Sequence, residues 1–158
     1  VTLLEVAKAL TPRYRGEVCF LFLDGNAQAS KGAKRLRRKY PCLKDKPVFV
    51  VDCVGEGDEL LVLPSKASRW DGDLLDAIND NFVNSDKKTC FLKVDGQIIF
   101  PSDNAAFPHS TVVCACKKVG GFGRCILPRG TQEIDEENIA LLREGLSKLI
   151  MNYHPQKA

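Results

Sequence analysis

Residues 17–33 read Glu-Val-Cys-Phe-Leu-Phe-Leu-Asp-Gly-Asn-Ala-Gln-Ala-Ser-Lys-Gly-Ala. Val18 to Leu23 form an unbroken apolar run, the pattern of a strand buried on both faces in a parallel sheet covered by helices. The run stops at the turn dipeptide Asp24-Gly25, and a helix is expected to follow from near Ser30. In open α/β sheets, ligands bind just beyond the C-terminal ends of strands. Asp24 to Gln28 should therefore line any site this chain possesses.

Outward from this stretch, the pattern is that of alternating helices and strands. Thr2 to Leu10 carries Leu3, Leu4, Val6, Ala7 and Leu10 at helical spacing, and Thr11-Pro12 ends it. Ser30 to Tyr40 is a second helix, stopped by Pro41. Its apolar stripe is only Ala33, Leu36 and Tyr40, against Lys31, Lys34, Arg35, Arg37, Arg38 and Lys39. Such a helix can bind phosphates, but the nearly balanced overall charge favours a solvated outer face. Pro47 to Val54 predicts a second buried strand with Asp52 inside it, a costly place for a carboxylate unless it is paired or metal-bound. Glu59 to Leu63 predicts a third strand. Trp70 to Phe82 predicts a helix, and Asp95-Gly96 between apolar pieces predicts a hairpin or a strand and loop. Thr111 to Lys117 is a strand, and Gly120 to Gly123 reads as a flexible loop. A closing helix from Glu136 to about Met151 has Asp135 as its cap.

The chain has 158 residues, 44% hydrophobic and 27% charged, with a net charge of +3. One globular domain over 1–158 is expected, and the small charge gives no argument for nucleic acid. No apolar run approaches membrane-spanning length, and no signal peptide is visible. The chain starts at Val1 already in a helical pattern, which reads as a piece of something longer.

Seven cysteines are present: Cys19, Cys42, Cys53, Cys90, Cys114, Cys116 and Cys125. The odd number, and the apolar strands in which four of them fall, favour reduced, mostly buried thiols in a cytoplasmic domain. Cys114 and Cys116 share one face of a strand, and core packing is preferred to a metal site there. Cys53 as a nucleophile would need an exposed, cationic setting. His109, on a loop, is more simply read as solvated.

Four motif segments in order, followed by the closing helix, resemble the zinc-dependent aminopeptidases of the bacterial leucyl-aminopeptidase type, which have a di-zinc exopeptidase fold. Phe20-Leu21-Phe22-Leu23-Asp24-Gly25 and Gly32 fit that family's strand and Asp-Gly-Glu-Glu frame. Val51-Asp52-Cys53-Val54-Gly55 is similar to its Leu-Asp-Met-Val-Gly, and Ser102-Asp103-Asn104 to its Ser-Asp-His rim. Pro128, Thr131, Ile134 and Asp135 fit the segment that leads into the last helix. The resemblance implies a three-layer α/β/α domain with a mixed, mainly parallel sheet that lacks the family's first strands.

It also implies a degenerate site. The positions of the general base and an adjacent zinc ligand hold Asn26 and Ala27. The rim histidine falls on Asn104, the distal zinc-binding histidine on Ile126, and its paired aspartate on Gly130. Asp52 is the only retained ligand position that the chain contains. An amide cannot take a proton from water, and methyl or butyl side chains hold no metal. The resemblance therefore implies a catalytically inactive binding or scaffolding module with no cofactor. Asp24, Asn26, Asp52 and Asn104 would line a depression suited to a peptide terminus, a small polar ligand or another protein domain. The alternative is a zinc peptidase whose site is completed by an upstream segment or another subunit.

Overall fold

The computed structural model describes residues 1–10, 16–25, 30–57, 59–64, 102–119, 122–124 and 134–153. In chain order the described elements are helix α1 (Thr2–Leu10), helix α2 (Lys31–Lys39), a 3-10 turn (Pro41–Asp45) and strands β1 (Val48–Val51) and β2 (Glu59–Pro64). A second 3-10 turn (Asp103–Ala106), strands β3 (Ser110–Val119) and β4 (Phe122–Arg124) and helix α3 (Glu136–Asn152) complete them. The helix expected at 70–82, the hairpin at Asp95-Gly96, and the positions Asn26, Ala27, Ile126 and Gly130 lie outside the described residues.

The fold is mixed α/β, and β3 is its centre. β3 pairs in parallel with β1, from Val48↔Ser110 to Val51↔Val113. On its other edge it pairs antiparallel with β2, from Glu59↔Cys116 to Pro64↔Thr111. The far end of β3 pairs antiparallel with β4. The described sheet is thus mixed, and one of its three pairings is parallel. Residues 120–123 were expected to be a loop. Instead Phe122 and Gly123 belong to β4, opposite Val119 and Lys118.

The two-sided burial expected of residues 17–23 belongs to β3. Val112, Val113 and Cys114 are wholly buried, and Ala115 nearly so, with successive side chains on opposite faces of the strand. Residues 17–23 have no regular secondary structure, and Val18 (41%) and Phe22 (63%) are exposed. Phe20 packs against one core and Leu23 against another. An apolar run of this length sets a demand for burial without fixing which neighbours meet it, and here only some of its side chains find cover.

The larger core joins Val6 and Leu10 of α1 to Leu142, Leu146 and Leu149 of α3, over Leu60, Val113 and Ala115 of the sheet. The α3 positions follow the helical spacing of a single apolar stripe. Phe49 and Val51 of β1 join that core, whereas Val48 packs with Ala33, Ala106, Phe107, Leu23, Leu36 and Leu43 in a second cluster. The alternation along β1 therefore divides its side chains between the two cores. α3 starts as expected: Asp135 Oδ1 accepts from the backbone N–H of Glu137 (3.0 Å) and Asn138 (3.3 Å), with Glu136 and Glu137 in the first turn.

The thiols follow expectation only in part. Cys114 is buried and Cys53 half-buried, but Cys19 and Cys42 are exposed, and none of the four is in a disulfide. Cys19 loses its expected burial because its segment is not a strand of the sheet. Cys42 lies in the 3-10 turn at Pro41–Asp45, which buries none of its residues.

Candidate functional site at the end of β1

β1 ends at Val51, and the ladder with β3 continues one step through Asp52 N–H to Val113 O (3.0 Å) and Ala115 N–H to Cys53 O (3.1 Å). Asp52 thus sits just past the C-terminal end of a strand whose parallel neighbour is the centre of the sheet. Cys53 has φ +52°, an unusual left-handed conformation for a residue other than glycine. The turn it starts is held from the far side: Asp135 N–H donates to Gly55 O (2.7 Å), and the buried Asn138 side chain donates to Gly57 O (3.1 Å).

Both carboxylate oxygens of Asp52 are engaged by side chains of the chain itself. Ser102 Oγ donates to Oδ2 at 2.8 Å, and Cys53 Sγ approaches Oδ1 at 3.3 Å. Ser102 is 1% exposed, so its hydroxyl is fixed in this role. Ser102 and Cys53 meet the need of a partly buried charge for donors.

Next to Ser102, Asp103 feels three influences. Burial pushes its carboxyl above the usual aspartate range, a hydrogen bond with Ser30 pulls it down, and the negative charge of Asp52 pushes it up again. Asp103 Oδ1 and Asn104 Oδ1 are buried without a hydrogen-bond partner among the described residues. The 3-10 turn that carries both is tied to β3 by Ser110, whose Oγ lies 2.8 Å from the carbonyl oxygens of Asn104 and Phe107.

Ser30 links this cluster to α2. It stands at the N-cap position with φ +56° and makes no capping hydrogen bond with its side chain. Asp24 and Gly25 abut the same helix end. Lys31 N–H donates to Gly25 O at 3.3 Å, and a Cβ on Gly32 would fall 2.3 Å from Asp24 O. Glycine is therefore required at 32 by close approach of backbone to backbone, and Gly25, at φ +71°, by its turn.

Of the residues singled out in the sequence, Asp52 accepts from Ser102, the residue before the turn that carries Asn104, while Asp24 abuts Gly32 at the start of α2. Asp24 is exposed, whereas Asp52 and Asn104 are half-buried. Asn26 follows Gly25 directly but lies outside the described residues. Ser30 and Ser102 were missed in the sequence. Their signal was slight: a serine before a basic helix and a serine before Asp103, either of which reads as an ordinary cap or turn residue.

The donor set does not fit a two-zinc centre. Asp52 is engaged on both oxygens, and the two other positions where the resemblance would put a zinc ligand, Ala27 and Ile126, carry no side-chain donor atoms. Among the described residues no three His, Cys, Asp or Glu side chains are grouped so as to hold a metal ion. No helix among them is long and apolar enough to cross a membrane.

Comparison of the chain with family models, curated proteins and solved structures finds no match to any of them.

Proposed function

We propose that this chain is a catalytically inactive, zinc-aminopeptidase-like domain that works as a binding or scaffolding module, with a three-layer α/β/α arrangement of the exopeptidase type. The observation that carries the reading is the closure of the Asp52 carboxylate by Ser102 and Cys53. A residue that in an active relative would face a metal here holds two internal donors, and these join β1 to the turn at Asp103–Ala106. Asn26 and Ala27 support the same reading from the sequence. Loss of a general base alone costs ~10²–10⁴ in rate, and a zinc hydrolase needs three or more protein ligands around its activated water. The remaining polar edge, Asp24, Asn26, Asp52 and Asn104, suits a peptide terminus or another small polar group.

The test is zinc supplied in slight excess, metal analysis after desalting, and an aminoacyl chromogenic assay on the same sample. The expected result is no stoichiometric zinc and no turnover. Retained zinc together with turnover abolished by Asp52→Ala would overturn the reading in favour of an active peptidase.

A further inference from the structure

On the other side of β1 in the chain, the end of α2 and the following 3-10 turn enclose an open groove of about 490 Å³ lined by Lys34, Arg37, Arg38, Pro41 and Lys44. All five residues are exposed. Among the described residues none of the four cations is in an ion pair. α2 itself contains no acidic residue. The helix dipole accounts for cations in the last turn of α2. It does not account for Lys44, which comes from the next element and closes the concavity with a fourth charge.

Of the two guanidinium groups, Arg37 is held across elements and Arg38 rests against its own helix. Arg37 Nη1 donates to Ala106 O at 2.9 Å, and Arg38 Nε lies 3.4 Å from Lys34 O. Each retains further N–H donors. A guanidinium oriented by the protein loses less freedom when it binds an anion, and its fork matches phosphate oxygens two at a time.

From this geometry we infer that the groove is a binding site for a small ligand bearing two or more phosphates. Four cations around one concavity exceed what a single carboxylate neutralises, so a multiply charged anion fits best. A nucleic acid or an anionic membrane would need the charge to continue beyond the groove. Beyond the groove α2 adds Lys31, Arg35 and Lys39, but the charge does not run on into the other described helices: α1 pairs Lys8 with Glu5, and α3 mixes Arg143 and Lys148 with Glu136, Glu137 and Glu144. The net charge of the chain is only +3. The site is separate from the Asp52 edge, so this inference stands or falls independently of the inactive-peptidase reading.

The experiment is calorimetric titration of the whole chain with tripolyphosphate at about 150 mM salt, where exposed charges more than ~8 Å apart are screened. Saturable binding near one equivalent is expected, with half-saturation below ~1 mM and weaker binding of inorganic phosphate. The exposed pair Arg38→Ala and Lys44→Ala should weaken it by roughly tenfold or more, as expected for loss of charge-assisted hydrogen bonds. Binding that is absent, or unchanged in the double variant, would overturn the inference. So would tighter binding of phosphatidylserine vesicles or of a random DNA duplex than of tripolyphosphate.

Discussion

Two polar regions flank β1 and handle charge in opposite ways. Past its C-terminal end, Asp52 and Asp103 are met by Ser102, Cys53 and Ser30, all supplied by the chain. Before its start, Lys34, Arg38 and Lys44 stand exposed without an ion pair among the described residues, and only Arg37 is tied by hydrogen bond to another element. The first region is the more buried, so its polar groups must find partners within the fold. The second remains in water, where unpaired charge costs little and is free to act on a ligand. The difference separates polar groups that build the fold from polar groups available to bind something.

If the first region is structural, disturbing it should cost stability, and the largest loss should come from Gly32→Ala. The added methyl would lie 2.3 Å from the Asp24 carbonyl oxygen, far inside contact distance. Neither partner is the end of a flexible side chain, so the backbone of residues 24–25 or of α2 must move. A loss of about 3 kcal/mol is expected, at the upper end of ordinary overpacking and despite the better helix propensity of alanine. Urea denaturation measures it, and a neutral or stabilised variant would show that the Asp-Gly turn is not packed against the helix.

Ser102→Ala comes next. It removes the hydroxyl from the Asp52 carboxylate at a 1% exposed position. Hydrogen bonds to charged groups are worth about 1.5–3 kcal/mol, so a loss of about 2 kcal/mol is expected in the same denaturation assay. A loss within about 0.5 kcal/mol would show that the Ser102 hydroxyl does not hold the carboxylate.

Within the basic region, Arg37 and Arg38 should behave differently although they are adjacent. Arg37 bonds the Ala106 carbonyl across elements, whereas Arg38 reaches only back along its own helix. Arg37→Ala should cost about 1 kcal/mol and Arg38→Ala less than about 0.5 kcal/mol. Equal losses would erase the distinction between a tying arginine and a free one.

How much of this was legible in the sequence follows the same division. Helical spacing and the Asp135 cap gave α1 and α3 closely, because one apolar face and a local capping bond suffice to define them. The strand at 111–117 was legible as well. The buried strand at 17–23 was misread: a short apolar run is compatible with several environments, and the side-by-side pairing that selects one is not local. At the site, the need of Asp52 for a partner was legible from its place inside an apolar run. Ser102 on Asp52 was not, since the two are 50 positions apart. The groove was also hidden. The basic residues of α2 read as a solvated face, and only the chain reversal at Pro41 brings Lys44 around to meet them.

The smallest expected effect concerns pH and tests whether the two carboxylates past β1 feel each other. Burial is the main cause that raises the folded-state pKa of Asp103, Ser30 opposes it, and Asp52 adds to it. A carboxyl whose pKa is higher in the folded than in the unfolded state binds its proton more tightly when folded. Between the two pKa values the folded protein therefore holds more protons, and stability falls as pH rises through that window. The window begins at the ordinary aspartate value of 3.8 and extends upward. Above it, the charged Asp103 is a standing cost, and on acidification through it that cost is relieved. Asp103→Asn removes the titration. The stability of the variant relative to the parent should be greatest at neutral pH and should decline as pH falls towards 4 or below. Combining it with Asp52→Asn separates the causes: if the charge of Asp52 contributes, the single Asp52→Asn change should lower the Asp103 pKa and flatten the slope. Chemical denaturation across the acid range, or direct titration of the Asp103 carboxyl by NMR, gives the measurement. An Asp103 pKa at or below 3.8 would mean that neither burial nor the charge of Asp52 bears on the Asp103 carboxyl.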